Sequence, residues 1–132
     1  MRARQDGEED FVMVFRRDLQ SVLALTGQRR LELRDTAVLM GLIAYVDWRS
    51  GRSKVSAKFL AEQLGIQLTH CARSLARLRN ERLAVRIYDE RTGETFFLLN
   101  PYLASVGGAK RRGHLYAQFS EALEREGLKS VA

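Results

Sequence analysis

The segment Val55 to Leu83, VSAKFLAEQLGIQLTHCARSLARLRNERL, constrains the fold more than any other part of the chain. Ser56 stands where an N-cap belongs, ahead of a helix through Ala57, Phe59, Leu60, Ala61 and Leu64, and Gly65 breaks that helix. A second helix, from about Gln67 to Asn80, carries Cys71, Leu75 and Leu78 on one stripe, with Thr69, Arg73 and Arg77 on the other side. Strand alternation follows at once. Leu83, Val85 and Ile87 alternate with Ala84, Arg86 and Tyr88, and DERTGE then turns the chain into the β-branched and aromatic run Thr95 to Leu99. The pattern predicts a β-hairpin with Gly93 in its loop. Asn100-Pro101 ends the second strand, because proline has no N–H to give the ladder.

The flanks fit around this centre. Residues 1–10 are polar and aperiodic, which reads as a flexible tail. Phe11 to Phe15 suggest a short strand or extended lead, and Leu19, Val22, Leu23 and Leu25 a helix ending at Thr26-Gly27. A further helix is expected from Asp35 as N-cap, through Val38, Leu39, Leu42, Ile43 and Val46, to the turn DWRSGR. Lys54-Val55 reads as a short extended piece. After the hairpin, Val106 to Gly113 reads as a flexible basic link into a last helix from about His114 to Glu126. The expected organisation is a tail (1–10), a body (11–106), and a basic link with a C-terminal helix (107–132). In that last helix Leu115, Phe119 and Leu123 form an i, i+4, i+8 stripe that needs a partner, so the terminal helices are expected to pair two subunits in a homodimer. Phe11, Phe15, Leu19, Leu23 and Trp48 read as core or dimer contacts rather than as a ligand pocket.

Charge narrows the partner. The 22 Lys and Arg outnumber the 16 Asp and Glu, giving +6 at pH 7, and only positions 54, 58, 110 and 129 are Lys. The rest are Arg, whose planar fork matches phosphates and guanine edges better than a lysine point charge does. Between residues 52 and 82, cations stand at 52, 54, 58, 73, 77, 79 and 82 against Glu62 and Glu81, which favours a nucleic acid over a membrane. The longest apolar stretch, Ala37 to Val46, falls well short of the roughly 20 residues a membrane span needs. Cys71 stands alone, and no leader pattern opens the sequence, so a cytoplasmic location is expected. His70, His114 and Cys71 have no metal-ligand spacing, and Cys71 reads as packing. Gly107-Gly108 before Lys110-Arg111-Arg112 lacks the phosphate-loop spacing, and no nucleophile elbow occurs. The chain is therefore expected not to be an enzyme and to need no cofactor.

Helix, capped helix, glycine turn, helix and hairpin together spell a mainly α fold with a small β-hairpin wing (α+β). This is a winged helix-turn-helix with flanking N- and C-terminal helices. Its mechanism is geometric: a major groove about 12 Å wide admits one helix while the preceding helix braces it across the backbone. The expected base-reading residues are Gln67, Thr69, His70 and Arg73, and the expected backbone-positioning residues are Lys54, Ser56, Arg77 and Arg91. Leu68 leaves the register of the reading helix open by about a turn. The hairpin loop Asp89 to Glu94 holds three acids and one Arg, so Arg91 is its one expected contact, and the basic residues Lys110 to Arg112 are the next candidates for phosphates.

Over roughly residues 11 to 118 the pattern resembles winged-helix regulators of the MarR group. The hairpin exit Phe97-Leu-Leu-Asn-Pro-Tyr-Leu103, followed by a glycine pair, resembles RepL-type plasmid replication proteins. That resemblance implies sequence-specific binding of double-stranded DNA in plasmid or phage-type replication initiation or copy control. A MarR-like transcriptional regulator is the alternative on the same fold, and a winged helix used only for protein contact is the second.

Overall fold

The computed structural model describes residues 12–47, 50–105 and 108–128, with the backbone alone for Ala109. The tail 1–10, Phe11 and Trp48 lie outside the described residues. Amphipathic periodicity sets five helices: α1 (Arg16–Gly27), α2 (Leu33–Ala44), α3 (Ala57–Leu64), α4 (Leu68–Asn80) and α5 (Ala109–Arg125). The described residues also form five strands: β1 (Met13–Val14), β2 (Arg52–Ser53), β3 (Ala84–Asp89), β4 (Glu94–Leu99) and β5 (Ala104–Ser105). The fold is α+β, mainly helical, with two small antiparallel sheets: β2-β4-β3, and β1 paired with β5. The hairpin runs in register from Ala84↔Leu99 to Asp89↔Glu94, while Arg52↔Leu98 adds β2 to its other edge.

The base of the three-stranded sheet, at Ala84–Val85 and Phe96–Leu99, is buried on both faces, and this organises the core. Ala84, Phe97 and Leu99 join Val38, Leu39, Leu42, Leu60, Cys71 and Leu78 in one cluster beneath the helices. Val85 and Leu98, alternating to the opposite face, join Leu115, Phe119, Ala122 and Leu123 of α5. The stripe expected to pair two subunits is thus buried within its own chain, with Phe119 1% and Leu123 0% exposed, because the second face of the hairpin supplies the apolar cover. α1 departs in the other direction. Only Val22 is buried in it, while Leu19 and Leu23 stay 43% and 65% exposed.

Three boundaries move for identifiable reasons. Helix α2 starts at Leu33, not after Asp35. Asp35 sits at its third position, fully buried, where its Oδ2 accepts the Glu32 N–H at 2.8 Å. The extended piece before α3 is Arg52–Ser53, where Ser53 donates its hydroxyl to the Leu42 carbonyl at 2.9 Å and so locks β2 to α2. Lys110 to Arg112 form the first turn of α5 rather than a link. Gly113 is tolerated there, at about 1 kcal/mol relative to Ala, because the stripe beyond it is anchored and the Arg112 guanidinium lies 4.8 Å from the Phe15 ring centre.

The Asn100–Leu103 segment closes the structure. Asn100 Nδ2 donates to the Arg82 carbonyl at 3.0 Å, its Oδ1 accepts the Tyr102 N–H at 3.0 Å, and Phe15 N–H reaches the Leu103 carbonyl at 2.8 Å. Two glycines matter sterically. Gly65 takes φ 66°, which lets α3 stop in one residue. A Cβ on Gly41 would stand 2.7 Å from Leu60, so α2 and α3 approach closely there.

Candidate nucleic-acid interface

Helix α4 presents three surfaces, and its sequence places each of them. The core stripe is Cys71, Ser74 and Leu78, with Leu75 partly buried. Burial pushes the Cys71 thiol above its ordinary pKa, which suits packing rather than reactivity. Ser74 is the polar member that the apolar pattern does not reveal, and its hydroxyl has no hydrogen-bond partner among the described residues.

On one flank, Arg77 turns inward. Its Nη1 donates to Asp35 Oδ1 at 3.1 Å and lies 3.7 Å from Glu32 Oε2, so a fully buried carboxylate on α2 holds this arginine. Next to it, Glu81 at the end of α4 accepts both Arg30 Nε at 3.2 Å and Arg30 Nη2 at 2.8 Å, a two-bonded fork that ties the α1–α2 loop to α4.

The outer face carries Thr69, Ala72, Arg73 and Asn80, all exposed, and Gln67 stands exposed just before the helix. His70 is half-buried on the side toward α2. Leu68 opens α4 and is 51% exposed, which settles the register of the helix. Arg73 has no ion-pair or hydrogen-bond partner among the described residues, in contrast to Arg77, Arg79 and Arg30.

The far flank opens on a cleft of about 510 Å³ between α4, the start of α3 and the sheet. Lys54, Arg79 and Arg86 bring positive charge to it, with Ser56 and Thr95 as hydroxyls and Ala72, Leu75 and Phe97 as apolar wall. Arg79 Nε is buried without a partner among the described residues, and its Nη1 stands 3.9 Å from Glu126, the residue that caps α5. Ser56 caps α3 by accepting the Phe59 N–H at 3.0 Å, as its position in the sequence implies. Lys54 is exposed and 3.8 Å from Glu94, a surface pair worth little.

Arg86 is the residue that the sequence reading missed. It shares a strand face with Ala84 and Tyr88, so the alternation that predicts β3 also predicts that Arg86 points to the α4 side. Arg91 sits at the hairpin tip, apart from this cleft. Its N–H donates to Asp89 Oδ1 at 3.0 Å. Slight desolvation raises the Asp89 pKa, but the Arg91 and Thr92 N–H groups, the Thr92 hydroxyl and the Arg91 charge outweigh it and hold the carboxyl below its ordinary value.

The structure therefore brings Thr69 and Arg73 together on one exposed helical face, with Gln67 exposed at the N-cap position just before it and Lys54 and Ser56 lining the cleft on its flank. It sets Arg77 in an internal ion pair and Arg91 at a distance. Among the described residues no group of acids, histidines and cysteines is placed to hold a metal, and no helix is long and apolar enough to cross a membrane. No protein-family model matches the chain, and no curated protein is detectably similar to it.

Proposed function

We propose that this protein binds double-stranded DNA in a sequence-specific way, as a winged helix-turn-helix with α4 as the reading helix. The observation that carries the reading is the outer face of α4. It is a helical surface without acids, it bears an arginine that has no partner among the described residues, and it borders a cleft whose cations outnumber its one acid. The element order α2-β2-α3-α4-β3-β4, with β2 on the edge of the hairpin, supports the same arrangement. Gln67, Thr69 and Arg73 face base edges, where a bidentate arginine on guanine is worth roughly 1–3 kcal/mol of discrimination. Lys54, Arg86 and the Ser56-capped start of α3 face the phosphates. Arg77 takes no DNA in this reading, since Asp35 already occupies its guanidinium.

A replication or copy-control role rests on the resemblance at Asn100–Leu103, whereas DNA binding rests on the α4 surface. That segment has a structural duty of its own, so a transcriptional role on the same fold uses the same interface. Hydroxyl-radical footprinting on duplex DNA from the protein's own locus tests both points. A protected patch about one helical turn long supports the reading, and its position, at repeats in an origin or at a promoter, selects the role. Uniform cleavage at every protein concentration up to the limit of solubility would overturn it.

A further inference from the structure

The α1–α2 hairpin leaves an apolar strip uncovered. Leu19 and Leu23 lie one turn apart on α1, 43% and 65% exposed, and Leu33 and Met40 lie two turns apart on α2, 80% and 64% exposed. Ala37 and Ala44 continue the α2 line at helical spacing. The helices meet at Thr26 and Thr36, whose hydroxyl oxygens are 3.5 Å apart. On the wheel of each helix these threonines lie between the core side and the exposed leucines, so the two lines flank one seam and form one strip. No charged residue interrupts it. The four large side chains expose on the order of 400 Å², in the range of the largest apolar patch on an ordinary monomer, about 300–600 Å².

We infer that this strip is the surface through which two copies of the chain associate. Two such strips in contact withdraw about 800 Å² of apolar surface, and their polar rims bring the total within the roughly 1,200–2,000 Å² of a standard interface. The strip is uniformly apolar and so complements itself, as an isologous two-fold contact requires, and two helical hairpins stacked this way pack ridges into grooves as a four-helix layer. The α5 stripe offers no competing surface, being buried in its own chain. None of the strip belongs to α3 or α4, so the association leaves the reading face open, and the inference stands whether or not DNA is the ligand.

The uncharged strip gives the contact a signature. Its burial is apolar and releases no counterions, so added salt does not weaken this association, opposite to its effect on DNA binding.

Sedimentation equilibrium of the full chain without DNA tests the inference. At about 50 µM the expected mass is twice the 15.1 kDa of one chain, and the dimer should not weaken between about 0.1 and 0.5 M salt. The double variant Leu23→Lys with Met40→Lys should sediment as a monomer with an unchanged melting temperature. Leu33→Lys, at the most exposed position, should weaken the dimer at least about tenfold without touching the fold, while Arg73→Ala should leave it intact. A wild-type chain that stays monomeric at about 100 µM, or a dimer that survives both strip variants, would overturn the inference.

Discussion

Arg73 and Arg77 stand one turn apart on the same helix, yet the fold uses them in opposite ways. Arg77 is two-thirds covered and held by a carboxylate with no solvent exposure, so it joins α4 to α2. Arg73 is exposed and has no partner among the described residues, so its guanidinium keeps its hydrogen-bonding capacity open on that side of the helix. The cause lies in rotation and in the neighbour. Four residues advance a helix by about 400°, and the extra 40° brings position 77 over the start of α2, where Asp35 waits. A basic helix cannot be read as a basic surface residue by residue until the buried acids around it are known.

The strongest way to break this comparison is to remove the inward arginine. Arg77→Ala leaves the Asp35 carboxylate buried with only the Glu32 N–H, and it should cost about 3 kcal/mol in urea unfolding, near the lower end for a broken buried pair because the guanidinium is partly exposed. The outward arginine should behave conversely. Arg73→Ala should leave the unfolding midpoint unchanged while weakening binding to a specific duplex by about 1–3 kcal/mol in an anisotropy titration. Ser56→Ala removes the α3 cap and should lower stability by about 1 kcal/mol, measured by thermal unfolding. Arg86→Ala should weaken all DNA equally, by less than about 1 kcal/mol, and reduce the salt slope by about 1.

The smallest effect belongs to the core stripe. Burial raises the Cys71 pKa, so its thiol stays neutral in the folded state while the unfolded thiol ionises near pH 8.5. The contribution from Cys71 is therefore fully present below that pH and is lost as pH rises toward the folded-state value. Unfolding at pH 7 and pH 9.5 should differ more for wild type than for Cys71→Ala.

Local chemistry was legible in the sequence and long-range pairing was not. The cap at Ser56, the stop at Gly65 and the hairpin around Gly93 follow from neighbours a few residues away, and the structure places all three where the residues imply. The Leu115, Phe119 and Leu123 stripe was visible as something that must be covered. Its cover was not, since that is the second face of β3 and β4, set by how the sheet docks. The outer face of α4 was readable as far as Thr69 and Arg73. The inward pairing of Arg77 was not readable because its partner stands 42 residues away, and Asp35 looked like an N-cap when it is a buried third residue. Arg86 was readable in the strand alternation, but only against the knowledge that this strand face turns toward α4.

The most direct test of the central claim, that the outer face of α4 reads DNA, is a titration of duplex DNA from the protein's own locus and of random duplex, by wild type and by Arg73→Ala, across a salt series. The account predicts a log–log slope of about 0.9 per phosphate contacted, tighter binding to the native locus, and a loss in Arg73→Ala that falls mainly on that fragment. Weak binding that is equal for both duplexes and indifferent to Arg73 would contradict it.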